Sequence, residues 1–235
     1  MTVLHPDRVR LVHPQSGNVD PIYNGSAGIL ESEPLVVRLT RAVHRFRLQS
    51  AHNLLDEAFA SVPPEAFLRD VGRPLLDRLD DAAEVRFATS LLELRLLAQA
   101  QGWERVNGPV IVLACTPADD AVLELIALGL ALAACHCRIS YLGAATPVDA
   151  LAEAVARQLA ALVVLAADHA ALTRRDAAEL RALPCPLVVI GRARESVAKR
   201  LEALALDADA TTAPARIAGL ARRQSSRRCD EPSPT

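Results

Sequence analysis

From 34 to 104 the apolar residues return at three- and four-residue spacing. From 109 onward they come in short unbroken runs separated by amphipathic stretches. The first pattern belongs to helices with one buried face. The second belongs to strands buried on both faces and alternating with helices. Residues 35–46 set Leu35, Leu39, Ala42, Val43 and Phe46 on one stripe, and 49–60 do the same with Leu54, Leu55, Ala58 and Phe59. Pro63 and Pro64 open a third helix carrying Phe67, Val71, Leu75, Leu76 and Leu79, proline being favoured at that position. A fourth helix, 81–101, carries Val85, Phe87, Leu91, Leu92, Leu94, Leu96 and Leu97. Four such helices with short connections predict an antiparallel bundle.

The second half predicts strands at 109–115, 137–142, 161–166 and 186–191, and a short one at 207–211. Between and after them fall helices at 148–159, 170–182, 195–204 and 214–223, with an apolar helix following the first strand. Five βα units of this length imply a five-stranded parallel sheet. The fold class is therefore α/β: an N-terminal four-helix cap (33–104) followed by a Rossmann-like, flavodoxin-like sheet (105–223). Residues 1–32 scatter Pro, Gly, Asn and Asp without periodicity and read as an irregular arm with no room for a helix-turn-helix module. The polar segment 224–235 reads as a disordered tail.

Composition narrows the class. Hydrophobic residues make up 51% and aromatics only 3%, which favours helices and buried parallel strands over a sandwich. The net charge of −2 offers no general attraction to DNA or anionic membrane. Arginines cluster at 38, 41, 45 and 47 and at 222, 223, 227 and 228, but no stacking aromatics accompany them, which argues against direct nucleic-acid binding. No apolar stretch is long enough to span a bilayer and no signal-peptide pattern opens the sequence, so a cytoplasmic location is expected. The Cys135-His136-Cys137 cluster lacks the second pair a zinc site needs.

Chemistry concentrates in the loops after the strands. Thr116-Pro117-Ala118-Asp119 follows the first strand and offers Asp119 as the N-cap of the next helix. Glu124 lies one turn into that helix, where it could pair with Arg192 beyond the fourth strand. Neither a phosphate-binding glycine fingerprint nor a nucleophile–base arrangement is present, so an enzymatic role is not favoured.

The segment 109–147, PVIVLACTPADDAVLELIALGLALAACHCRISYLGAATP, resembles the cobalamin (vitamin B12)-binding domain. That family carries Asp-x-His-x-x-Gly after its first strand and a second strand ending in Leu-Gly. Counting back from Leu142-Gly143 places the signature on 119–124, where Asp119 matches, Ala121 replaces the cobalt-ligating His and Glu124 replaces the Gly. A four-helix cap before the sheet is the arrangement of B12-dependent methionine synthase, of light-sensing B12-binding repressors and of stand-alone antirepressors of photosynthetic bacteria.

The resemblance implies a corrinoid site between cap and sheet, with its nucleotide tail beside the first helix of the α/β part. The matching positions are Thr116, Asp119, Ala121, Gly143, Thr146, Pro147, Ala166 and Gly191, with Arg86 on the last cap helix where the repressors carry a Glu-His pair. With the signature His gone, the ligand is a cobalamin held without protein His, a haem, or none. His169 after the third strand is the better-placed axial candidate, whereas His136 lies at the far edge of the sheet. The implied function is sensory or regulatory, exerted on a transcription regulator or a homologous subunit, with a homodimer in view. The alternatives are a corrinoid protein serving methyl transfer and a haem sensor of the same fold.

Overall fold

The computed structural model describes residues 34–207 and 212–230, all within one compact unit, Pro34–Thr235; the expected arm over 1–32 lies outside them. The cap begins with α1 (Leu35–His44) and α2 (Leu48–Ser61). The third cap helix is not continuous. It runs as α3 (Pro64–Phe67), a π turn at Leu68–Gly72 and α4 (Arg73–Leu76). Pro74 explains the interruption: it has no N–H to give, and its ring would strike the carbonyl of Asp70 in a straight α-helix. The chain takes one extra residue into the turn, so that the Arg73 N–H bonds to the Leu68 carbonyl. The cap closes with α5 (Ala82–Gln99), whose N-cap Asp81 accepts from the amides of Ala83 and Glu84.

The sheet is all parallel, with strands β1 (Val110–Cys115), β2 (Arg138–Gly143), β3 (Leu162–Ala166), β4 (Leu187–Ile190) and β5 (Leu204–Ala205) in the order β2-β1-β3-β4-β5. Their connections are α6 (Val122–Ala134), α7 (Val148–Gln158), α8 (Arg174–Arg181) and α9 (Arg194–Leu201); α10 (Ala213–Asp230) follows. This is the expected α/β class with a helical cap. Strand order reverses between β1 and β3, and in open sheets of this kind the crevice at such a point takes ligands.

Strand residues alternate between two apolar layers. Ile111, Leu113 and Cys115 of β1, with Leu162, Val164 and Ala166 of β3, join α6, α10 and the cap. Val110, Val112, Ala114, Val163 and Leu165 join α7, α8 and α9 on the other face. Cap and sheet thus share one core, and α6, sandwiched between them, is buried on nearly every side, as its all-round apolar sequence demands. Trp103 seals the join: 7% exposed, it packs against Gly129 of α6 and meets the Tyr141 ring edge-on at 6.4 Å.

Three expectations need correction. Helix α8 starts at Arg174 rather than 170, because Thr173 and Asp176 form a capping box that sets the start. A strand forms at Leu204–Ala205, ahead of the expected 207–211, of which 208–211 lie outside the described residues: Glu202 turns the chain at φ 54, so β4 is met sooner, and Leu206 N–H bonds to Val189. The last helix continues to Asp230, so 224–230 are helical where a disordered tail was expected.

Candidate functional site

The crevice at the carboxyl ends of β1 and β3 is organised by Asp119. Its side chain is fully buried and accepts the Thr116 hydroxyl at 2.7 Å, the amides of Asp168 and His169 at 3.1–3.3 Å, and His169 Nδ1 at 2.7 Å. A carboxylate can only accept, so Nδ1 carries the hydrogen and Nε2 is the free nitrogen. The His169 side chain is 60% exposed, which leaves that nitrogen open to solvent at the sheet edge.

Asp119 also acts through its backbone. Its carbonyl accepts Ala145 N–H at 2.7 Å, and its own N–H bonds to Thr116. One residue therefore fastens the loops after β1, β2 and β3. It is not the cap of α6: that helix begins at Val122 with Ala121 as its uncapped N-cap residue. The reason lies across the sheet, where two loop amides and an imidazole from β3 outcompete the local helix end.

Burial pulls the Asp119 pKa up, but the bonds from Thr116, His169 and Asp168 more than offset it and hold the carboxyl below its ordinary value. At the end of β1, burial and the carboxylates around it push the Cys115 thiol up to about 12, which keeps it protonated and poor as a nucleophile.

The other expected positions surround this hub. Thr116 is buried, and its N–H bonds to the Ala166 carbonyl. Gly143 ends β2 at φ 89 beside a register shift opposite Leu113 and Ala114, and Thr146 donates to its carbonyl at 3.0 Å. Pro147 is the N-cap residue of α7. Gly191 stands at φ 98, and a Cβ there would lie 2.5 Å from the Ala167 carbonyl oxygen, so only glycine fits. Arg86 is exposed on α5 and is not among the residues lining the cleft described next.

That cleft, about 360 Å³, lies beside the hub and is lined by Arg73, Glu124, Asp168, Gly191, Arg192, Arg194 and Asp207. The expected Glu124–Arg192 pair does not form. Glu124 meets Arg73 from the cap at 3.2 Å, whereas Arg192 lies 2.8 Å from Asp168, which also accepts the Arg192 amide. Asp168 is nearer Arg192 because Gly191 brings the two loops into backbone contact. Sequence reading placed Asp168 after the third strand with no motif to mark it as the partner of Arg192, and it missed Arg73, which reaches the site only because the cap packs on α6.

A corrinoid bound in the family's manner needs a lower imidazole and an open slot for the nucleotide tail. Ala121, which the resemblance sets at the imidazole's position, is largely buried. Ile126 of α6, Ala166, Ile190 and Ile217 of α10 are fully buried in one apolar cluster. The Asp168–Arg192 and Glu124–Arg73 pairs line the cleft described above. The donor set is different: one imidazole, its tautomer held by a buried carboxylate, with no group of three His, Cys, Asp or Glu placed for a metal among the described residues. A single imidazole held in this way would serve as the one protein ligand of a metal tetrapyrrole.

No protein-family model matches the sequence, and no curated protein matches it. Solved structures do. The chain is similar to the monomethylamine corrinoid protein of Methanosarcina barkeri with a TM-score of 0.56 and 16% identity, covering 77% of this chain and 94% of that one. It also matches a chain of the methanol:cobalamin methyltransferase complex of Methanosarcina barkeri (TM-score 0.43, 12% identity, 86% of each chain). A novel cobalamin-binding protein of Desulfitobacterium hafniense matches as well (TM-score 0.41, 15% identity, 80% of this chain and 98% of that one). The first likeness, read with the strand order, gives this chain the fold of a capped cobalamin-binding domain. Among the described residues no helix is long and apolar enough to cross a membrane.

Proposed function

We propose that this chain is a regulatory protein of the capped cobalamin-binding fold that takes a metal tetrapyrrole at the carboxyl edge of its sheet and signals through a protein partner. The carrying observation is the buried Asp119 carboxylate, which holds the His169 imidazole by Nδ1 at 2.7 Å while the same residue ties down three loops. A bound metal tetrapyrrole would supply an open coordination position that a small ligand or light can change. His169 offers Nε2 to it, and Asp119 orients the ring and keeps the proton on Nδ1. Any movement of the imidazole is felt through Asp119 at the backbone of Asp168 and Ala145, which makes these loops the two-state element a partner would read. Ala121 offers no imidazole to a cobalt, which favours a haem, or a corrinoid whose tail stays outside. The partner class, a transcription regulator or homologous subunit, rests on the resemblance to antirepressors and light-sensing repressors.

A second reading, a corrinoid carrier serving methyl transfer, is favoured by the likeness spanning 94% of a corrinoid protein. One titration separates the two. The purified chain is titrated with haemin, with cobinamide (a corrinoid lacking the nucleotide) and with hydroxocobalamin, and the visible spectrum is followed for parent, His169→Ala and Asp119→Asn. A saturable shift with haemin or cobinamide is expected, lost in His169→Ala and weakened roughly 10- to 100-fold in Asp119→Asn. Tight cobalamin binding that His169→Ala leaves untouched supports the carrier instead. No shift with any of the three refutes both.

A further inference from the structure

The cleft beside the hub draws a guanidinium from each of two separate elements. Arg73 reaches it from α4 in the cap, and Arg192 from the loop after β4. Each is held by a carboxylate more buried than itself. The Asp168 side chain is 18% exposed where that of Arg192 is 79% exposed, and Glu124 is 25% exposed where Arg73 is 56% exposed. A carboxylate placed in this way fixes an arginine and takes only part of its donors. Arg192 spends Nε and Nη2 on Asp168, and Arg73 spends Nη2 on Glu124. Nη1 of both has no partner among the described residues. A guanidinium carries N–H donors on all three nitrogens, so each arginine keeps a free edge.

Two uncommon backbone conformations deliver these arginines. Arg73 is the first residue after the π turn at Leu68–Gly72, and the extra residue of that turn rotates everything beyond it by about 100° on the helix. Gly191 stands at φ 98 against Ala167, so that both the amide and the guanidinium of Arg192 bond to Asp168. Arg194, which also lines the cleft, is engaged by the Gly191 carbonyl and by Asp207. Three arginines and three acids line the cleft, so it has no excess charge to draw anions from a distance. It selects by contact. The free edge of a fixed guanidinium matches a carboxylate with paired, charge-assisted bonds, whereas a neutral amide meets it with a single oxygen and no charge. Asp168 in the cleft wall and His169 are consecutive in one loop, so one ring can engage the imidazole and the cleft together.

We propose that the tetrapyrrole of this site is one with free carboxylates on its rim, a porphyrin rather than an amide-bearing corrinoid, and that Arg73 and Arg192 bind those carboxylates. The inference rests on the reading that a metal tetrapyrrole is held at His169. The full-length chain is titrated with haemin and with haemin dimethyl ester, in which both carboxylates are masked, and the visible spectrum is followed. The parent is expected to bind haemin about tenfold or more tightly than the ester. In Arg73→Gln/Arg192→Gln that preference is expected to vanish, because haemin affinity falls while ester affinity holds. Arg192→Lys, which keeps the charge but loses the planar fork, is expected to fall between. His169→Ala removes the shift for both ligands alike, and so reports on ligation and not on carboxylate capture. Circular dichroism checks that each variant is folded. If the double variant is not, Arg192→Gln alone stands in, and the comparison of haemin with its ester in the parent needs no variant. Equal affinity for both ligands, each ligated through His169, overturns the carboxylate assignment and leaves the tetrapyrrole reading standing. A preference for haemin that survives the arginine changes overturns it equally. No shift with either ligand overturns the tetrapyrrole reading and this inference together.

Discussion

Asp119 shows how much one side chain can organise when it is buried with its partners. Its carboxylate takes bonds from a hydroxyl, two amides and an imidazole, more than the single accepting oxygen of an asparagine can satisfy. Asp119→Asn is therefore expected to lower stability at pH 7 by about 2–3 kcal/mol, the scale of charged hydrogen bonds. Because the folded pKa is depressed, this stability is fully present above the ordinary carboxylate value of about 4 and is lost as pH falls through the lower folded value. Urea unfolding of parent and variant at neutral pH and at successive steps below pH 5 checks this. The gap between them should narrow as the solution is made more acid, and a constant gap would refute the assignment. Sequence reading found Asp119 and His169 separately, as a helix cap and a weak ligand. Nothing in 119 or 169 alone says that their loops meet, because the meeting requires β1 and β3 to be neighbours in the sheet.

At the scale of elements, the period of the hydrophobic residues was legible throughout, and the ends were not. Helix ends followed capping and proline chemistry that competes with periodicity: Thr173 with Asp176 delayed α8, and Pro74 drove the third cap helix into a π turn. Helix α6 illustrates the link from sequence to packing. Gly129 lies in its middle, where alanine would be the better helix former, but a Cβ there would come within 2.6 Å of the Trp103 ring and 2.9 Å of Leu113. Gly129→Ala is expected to cost about 1 kcal/mol net, overpacking outweighing the gain in helix propensity. Trp103 is the sole tryptophan, so its fluorescence reports the change directly. A variant of equal or higher stability with an unshifted emission maximum would show that the ring does not sit against α6.

For the whole molecule, the deciding fact is the single apolar cluster that runs from the cap through α6 to β1, β3 and β4. A cap joined to the sheet only by a linker would melt on its own, whereas one sharing a core cannot lose its packing without exposing the sheet. Unfolding is expected to be one transition, the same by Trp103 fluorescence and by far-ultraviolet circular dichroism. Leu92→Ala, at a fully buried cap position, should move both signals together by about 2–5 kcal/mol. Two transitions, or a Leu92→Ala effect confined to the helical signal, would show instead that cap and sheet fold as separate units.

The sequence by itself determined the class of the fold, because burial on one face or on two imposes a period on the residues and the period can be read without coordinates. Through its resemblance to the cobalamin-binding domain it also pointed to Ala121 and Glu124 as departures from that family's signature, since a missing side chain needs no structure to be noticed. Only the tertiary structure decided which residues meet at the carboxyl edge of the sheet. The Asp119–His169 couple spans fifty positions of the chain, the Asp168–Arg192 clasp joins two loops, and Arg73 reaches Glu124 from another layer. Each depends on strand order and on how the cap seats on α6, and those are set by the sum of many buried contacts rather than by any local run of residues.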